Sequence, residues 1–348
     1  MMKQFKPTIT FKDIISVSKL LYSGEIGFGN NVKKFEDKFS TYSNKKFNIG
    51  LNSASSAAYC IFAYLYDRYG KCEIYTPSIG FISPAWAAHK NGHDVIFVDV
   101  DDNLLFDFKS YEYEKRNTQL KKVLMPVLYG GVSNIPNFNE QVTDEIVVVD
   151  SAHCVEPTIK SDYIFFSFHP IKPLTMSNGG LLSTDNKDAD NYIRKYRNFG
   201  RENRGDTYDI VSNGFNFYMN NLNATLGLSQ LNSCFKNIKI RKKRLNQLQN
   251  SGILDIGYFT EHDDKSSYYL STLILNKGSS LKMRKKLIKN GCTALFHYPF
   301  LHQTSFRFND GVSVLNNTDK LYDRIINLPI HQNLSERDMN KIIKVISG

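Results

Sequence analysis

The stretch SFHPIKPLTMSNGG, Ser167 to Gly180, sets one lysine, Lys172, between two apolar runs. DYIFF before it reads as a buried strand, and LLST after it reads as another. A proline follows Lys172 directly and a Gly-Gly pair follows further on. A lysine in such a turn is either a surface charge or a reactive amine, because burial disfavours the ammonium and exposes the lone pair. Two other places have residue types that could act with it. EIVVVD ends in Asp150, and in an open α/β sheet ligands bind at the carboxyl ends of strands. An acid there could also simply cap the next helix. In NIGLNSASSAAYCIFAYLY a strand runs into Ser53-Ala54-Ser55-Ser56 and then into a helix. Hydroxyls beside the free N–H groups of a helix start make a phosphate cradle, or an ordinary serine N-cap.

Taken together, a phosphate cradle, an acid at a strand end and a lysine in a constrained turn are the parts that hold pyridoxal phosphate. Its phosphate needs N–H donors and hydroxyls. Its ring nitrogen needs a carboxylate to stay protonated. Its aldehyde needs a lysine for a Schiff base.

The elements that must position these residues follow an α/β rhythm. Strand-like runs FNIGLN, EIYTP, DVIFVDV, VLMPVLY, EIVVVD, YIFFSF and GLLST alternate with helix-like segments. Such alternation implies a largely parallel sheet covered on both faces. The rhythm fades after about Asn250, where YYLSTLIL and LFHYPF lead to a closing helix from Ser335 onward. The expected division is a large domain over 1–249 and a smaller C-terminal α+β domain over 250–348. A chain of 348 residues is long enough for both. GEIGFG, Gly24 to Gly29, has no strand before it, so it reads as a loop into the helix VKKFEDKF and not as a nucleotide fingerprint.

Composition narrows the function classes. No apolar run approaches the roughly 20 residues a membrane helix needs, and MMKQFKPTITFKDII lacks the apolar core of a signal peptide. Cys60, Cys72, Cys154, Cys234 and Cys292 are scattered, with no CxxC pair. That pattern predicts reduced thiols in a cytoplasm and no metal site or disulfide framework. The net charge of +10 raises nucleic acid as a partner. The densest basic run, IKIRKKR from Ile238 to Arg244, continues a helical face of Ala224, Leu228, Leu231, Phe235 and Ile238. It reads as a solvated helix end, since no nucleic-acid motif accompanies it. A diffuse positive field would also steer an anionic small substrate.

Read as a whole, the chain resembles the DegT/StrS-type sugar-nucleotide aminotransferases of the aspartate-aminotransferase superfamily. The segments that carry the resemblance are FEDKFSTYSN, LNSASSAAY, YTPSIGFISPAWAAHKNGHDVIFVDVD, VVVDSAHCVEP, SFHPIKPLTMSNGG, GFNFYMNNLNATLGLSQL and NLPIHQNLSERD. It implies a pyridoxal-phosphate-dependent transferase of fold type I, with a mostly parallel seven-stranded sheet in the large domain. Lys172 would carry the cofactor and shuttle protons, and Asp150 would pair with its ring nitrogen. Phe81 would stack on the ring, and His153 would lie near its phenolic oxygen. Ser55, Ser56 and Ser167 would hold the phosphate. Asn216 would reach the phosphate in the other subunit of a homodimer with shared sites. His297 and His302 fall where the family builds part of its substrate pocket.

The implied reaction moves an amino group from glutamate to a nucleoside-diphosphate-linked 3- or 4-keto-6-deoxy sugar. The same fold also hosts sugar dehydratases, in which a histidine replaces the lysine, and cofactor-binding regulators. The retained Lys172 argues against the first, and the set Lys172, Asp150 and Ser167 against the second. Three positions depart from the family pattern: Asn178 stands where a glutamate is usual, Ala54 where a glycine is usual, and Tyr218 where an arginine is frequent.

Overall fold

The seven apolar runs pair edge to edge. The computed structural model describes residues 1–308 and 315–347. The strands are β1 (Phe47–Leu51), β2 (Cys72–Pro77), β3 (Asp94–Val98), β4 (Lys121–Leu124), β5 (Ile146–Asp150), β6 (Tyr163–Ser167) and β7 (Gly180–Thr184). They form one sheet in the order β1-β7-β6-β5-β4-β2-β3. From β6 across to β3 the pairing is parallel, and β7 runs antiparallel to both β1 and β6. The expected α/β architecture with a mostly parallel seven-stranded sheet is therefore present.

Side-chain alternation explains why the runs are apolar throughout. Val147 and Val149 of β5 enter a core on one face with Phe35 and Phe39. Ile146 and Val148 enter a second core on the other face with Ile61 and Leu65. In β6, Ile164 and Phe166 join the first core while Tyr163 and Phe165 join the second. Each fully buried Val, Ile or Phe contributes roughly 1.5–3 kcal/mol, so a strand covered on both faces selects apolar residues at every position.

The first four helices are α1 (Phe11–Ser23), α2 (Asn30–Ser43), α3 (Ala54–Tyr69) and α4 (Ile82–Lys90); α1 packs on the long helix Asn221–Gln249, and the other three lie on the sheet. Helix α2 buries Val32, Phe35 and Phe39, a helical stripe. It shares the first core with Ala224 and Leu231 of the long helix Asn221–Gln249. Helices α3 and α4 cover the second core. GEIGFG is the loop between α1 and α2. Among the described residues no helix is long and apolar enough to cross a membrane.

Beyond the long helix, strands Gly257–Phe259, Ser271–Leu275 and Ile325–Leu328 make a small antiparallel sheet. With helices Ser280–Lys289 and Glu336–Ser347 it encloses a third core that includes Leu273, Leu287, Ile326 and Ile342. LFHYPF is not a strand. Leu295 makes one bridge to Asn327, and Phe300 then packs into the first core.

The basic run is only partly the solvated helix end expected: Lys239, Lys242 and Lys243 are exposed, but its two arginines are not. The long helix continues to Gln249, and Arg241 and Arg244 are buried. Arg244 donates to Glu336 Oε1 at 2.6 Å and to the Leu334 carbonyl at 2.9 Å, and Arg241 donates to Gln332 Oε1 at 3.2 Å. These arginines tie the long helix to the approach of the C-terminal helix. Their long stems bury while the guanidinium heads find acceptors.

Candidate active site

Register brings the candidate residues together. Leu51 at the end of β1 and Ser167 at the end of β6 both face Gly180 at the start of β7. Strand β5 ends beside β6 at Asp150. The loop after β1 turns into α3 through Ser53, whose backbone is extended and whose Oγ accepts from the Ser56 N–H. A Cβ on Gly180 would lie 2.2 Å from the Ser53 carbonyl carbon and 2.4 Å from the Ala54 nitrogen. Only glycine admits the close approach of β7 to this helix start.

A cavity of about 350 Å³ opens at this carboxyl edge. Its lining brings Ser53, Ala54 and Ser55 of the helix start together with Asp150, His153 and Ser167 at the strand ends and with Lys172, Asn178 and Gly179 of the turn. Phe81, the N-cap of α4, also lines the cavity and is 55% exposed. His297 and Tyr298 close the cavity from the C-terminal part of the chain.

Lys172 is buried in a tight turn in which its N–H donates to the His169 carbonyl at 2.9 Å. Its Nζ sits 4.4 Å from the centre of the Tyr269 ring. Burial pulls the lysine's pKa well below its ordinary value, with Asp150 acting in the opposite sense. Asp150 is pushed above the usual carboxylate range by burial, against the Ala152 N–H and the charge of Lys172. One of its oxygens, Oδ1, accepts from that N–H at 2.9 Å.

Burial also lowers the pKa of His153 and of His297, the latter to about 4. Both imidazoles keep a buried Nδ1 without a hydrogen-bond partner. A lysine amine whose pKa burial lowers, a carboxylate with one oxygen held, a helix start and two imidazoles whose Nδ1 atoms have no partner all line one space. This donor set fits pyridoxal phosphate: the helix start with Ser55 and Ser167 suits a phosphate, Asp150 a ring nitrogen and Lys172 an aldehyde.

Three expected site residues lie outside the cavity lining. The Ser56 hydroxyl turns inward, donates to Asn52 Oδ1 at 2.5 Å and sits 2.9 Å from Ser53 Oγ, so it braces the helix start from behind. His302 joins Ser78 Oγ at 2.5 Å and Asp319 Oδ1 at 2.9 Å. This Ser-His-Asp row resembles a nucleophile relay, but Ser78 is fully buried and its carbonyl accepts from Leu301. It ties the 301–302 segment to the loop that carries Phe81. Asn216 lies in an extended stretch bridged to Asn198, and its carbonyl accepts from Asn52 Nδ2 at 3.0 Å.

Two aromatic residues of the site are absent from the sequence expectations. Tyr298 sits beside His297, packs edge-on against Phe81 and lies 3.4 Å from His153 Nε2. Its position next to a candidate histidine was the available signal. Tyr269 lies in a run that reads only as a strand, and nothing local marks it.

The profile of the DegT/DnrJ/EryC1/StrS aminotransferase family matches residues 7–347. The spore coat polysaccharide biosynthesis protein SpsC of Bacillus subtilis is 26% identical, covering 98% of this chain and 95% of that protein. A UDP-4-amino-4,6-dideoxy-N-acetyl-beta-L-altrosamine transaminase of Campylobacter jejuni is 25% identical, covering 94% and 91%. Among solved structures, Helicobacter pylori PseC, an aminotransferase involved in the biosynthesis of pseudaminic acid, superposes with a TM-score of 0.90. It is 22% identical, and the match covers 99% of this chain and 98% of that one.

Proposed function

The chain belongs to the DegT/DnrJ/EryC1/StrS aminotransferase family, and from that premise we propose that it carries an amino group from glutamate to a nucleoside-diphosphate-linked 3- or 4-keto-6-deoxy sugar. It is an aminotransferase, and its family is pyridoxal-phosphate-dependent. The cofactor, when bound, supplies an aldehyde that carries the amino group and a ring that draws electrons from the carbon losing a proton.

The observation that carries this reading is the buried Lys172 amine sharing one cavity with Asp150 and the serine helix start. Lys172 Nζ would anchor the cofactor and, once free, take and return a proton. Burial suits it to that work because the amine must be neutral to act. Asp150 has one oxygen held by Ala152 and would give the other to the ring nitrogen. Phe81 would offer its exposed ring as a stacking face. Ser55, Ser167 and the first N–H groups of α3 would hold the phosphate, with Ser56 bracing them. His153 would orient the phenolic oxygen.

A homodimer with Asn216 supplied from a second copy is part of the proposal. Phe11, Ile14, Leu21, Tyr22 and Phe28 leave large apolar groups exposed on α1 and the loop after it, the kind of surface a partner covers. The net charge of +10 suits a diphosphate-bearing acceptor. Five buried free thiols support a reducing compartment, the cytoplasm.

The test is incubation with glutamate and a panel of keto-sugar nucleotides carrying dTDP, UDP or GDP, with oxaloacetate and pyruvate as rival acceptors. Mass spectrometry is expected to show a keto oxygen exchanged for an amine on one sugar, and NMR to locate the carbon. Efficient turnover of the keto acids with no sugar product would overturn the assignment. Borohydride reduction followed by peptide mapping should find the cofactor on Lys172.

A further inference from the structure

We propose that Tyr269 is a positioning residue for Lys172: its ring face is the resting place of the lysine amine whenever that amine is not bonded to the cofactor. This rests on the reading of Lys172 as the cofactor lysine.

The ring is fixed from several directions. The Tyr269 N–H donates to the Gly130 carbonyl at 2.9 Å, and the Ser267 N–H donates to the Gly131 carbonyl at 2.7 Å. Gly131 has φ +97°, and a Cβ there would lie 3.0 Å from the Tyr269 nitrogen and 2.9 Å from the His153 carbonyl oxygen. The two glycines thus clamp the approach to the small sheet against the His153 backbone. Phe5, from the N-terminal arm, stacks on the Tyr269 ring at 5.0 Å and 7°. The His153 ring lies 4.3 Å away. Tyr269 is 1% exposed, so its ring presents one orientation to Lys172.

The electrostatic surroundings make that face matter. Among the described residues no carboxylate lies within ion-pair distance of Lys172 Nζ. The charged and titratable groups around it are Asp150 at the end of β5, His153 and His169 in the loops after β5 and β6, and His297 and Tyr298 from the C-terminal segment, while Arg241 of the long helix acts on the Tyr269 ring. The three imidazoles are disfavoured as cations there, and Asp150 acts at longer range. A lysine that accepts a proton in this pocket becomes a buried cation. The negative face of an aromatic ring at 4.4 Å is the adjacent group that welcomes it. The same contact holds a flexible four-carbon stem in one place, poised over the cavity.

The test compares Tyr269→Phe, which keeps the face, with Tyr269→Leu, which removes it. Lys172 is free in the holoenzyme form that carries the aminated cofactor. Its reactivity toward a small acylating reagent is followed against pH and mapped by mass spectrometry. Tyr269→Phe is expected to leave the midpoint within about 0.2 pH unit of wild type, and Tyr269→Leu to lower it by about 0.5–1 unit, as loss of a desolvated cation–π contact implies. The single-turnover rate with glutamate is expected to fall about tenfold in Tyr269→Leu and less than about threefold in Tyr269→Phe, with KM for glutamate unchanged. Should Tyr269→Leu lose the fold, Tyr269→Met gives the same comparison with an adaptable side chain. An unmoved midpoint in the faceless variant, or equal damage in both variants, would sink the proposal. A borohydride adduct on another lysine would instead remove the functional reading, while the Lys172 midpoint would still report on the ring.

Discussion

Lys172 and Arg197 are both buried basic side chains, and their surroundings are opposite. Arg197 donates to Glu36 Oε1 at 2.7 Å and to the Gly50 carbonyl at 2.6 Å, and its guanidinium rests over Phe28. Arg194 completes the group through Glu36 Oε2 at 3.0 Å and Asp190 Oδ1 at 2.6 Å. Lys172 has a ring face and no ion pair among the described residues. An arginine keeps its charge at any physiological pH, so its burial requires partners. A lysine can give up its proton, so its burial without a partner makes a nucleophile. Burial alone distinguishes neither; the pairing does. The arginine network holds β1 and the loop toward Ser53, and in the proposed function the unpaired lysine would do the chemistry that this frame positions.

Changes at four places would break or sharpen that contrast. Replacing Lys172 with alanine should cut transamination by about a thousandfold or more, the scale of a lost nucleophile and proton carrier. Thermal melting of the cofactor-free protein should hardly move or should rise, because the lost amine had no ion pair to lose. A large fall in melting temperature would show that Lys172 is structural after all.

Arg197→Met should do the reverse. Breaking one side of a buried pair costs about 3–5 kcal/mol, read by urea unfolding, while the fraction that folds keeps most of its chemistry. Glu36→Gln should also destabilise, since one amide oxygen can replace only one of the two carboxylate oxygens that accept from Arg197, Gly50 and Arg194, and the amide NH2 then faces a donor.

Gly180→Ala is expected to destabilise by about 1–3 kcal/mol and to weaken cofactor retention, because the new methyl displaces the Ser53–Ala54 backbone. Cofactor retained after dialysis measures the second effect. Wild-type retention would show that the helix start has more freedom than its packing implies.

The smallest effect is in the pH dependence. Capture of pyridoxal phosphate requires a neutral amine, so its rate should rise with pH and level off once Lys172 is deprotonated. The lowered pKa places that plateau well below the ordinary lysine value of about 10.4. The linked stability has the same sign: the unfolded chain holds this proton more tightly, so stability gains as pH rises from the lowered to the ordinary lysine value. Asp150 contributes oppositely at acid pH, because its raised pKa makes ionisation costlier in the folded chain. A capture rate still climbing steeply near pH 10 would mean that the amine is solvated.

Much of this was legible along the chain. VVVD, YIFF and LLST are apolar at consecutive positions, and only a strand covered on both faces needs that, so the sheet could be read before its partners were known. Lys172, Asp150 and Ser55 stood out by type and place, and Ser167, His153, Phe81 and His297 through the family resemblance; all of them line one cavity. Ser56 and His302 looked equivalent to those residues, yet one turns toward Asn52 and the other toward Ser78 and Asp319. Hydroxyl direction and histidine partners depend on residues distant in sequence, and no local pattern encodes them. Arg241 and Arg244 looked like solvated charges for the same reason. Their acceptors at Gln332, Leu334 and Glu336 come from nearly a hundred residues further on.

The sequence by itself determined which side chains could do chemistry and which runs must be buried, because residue type and periodicity are local properties. It placed a lysine in a turn and a carboxylate at a strand end. Only the tertiary structure decided that this lysine is buried without an ion pair, that Tyr269 lies beneath it and that Arg197 has Glu36 instead. Those facts are desolvation and Coulomb terms. They depend on which groups fold to within a few ångströms of one another, and residues as far apart as Phe5, His153, Lys172 and Tyr269 meet only when the sheets have closed around them.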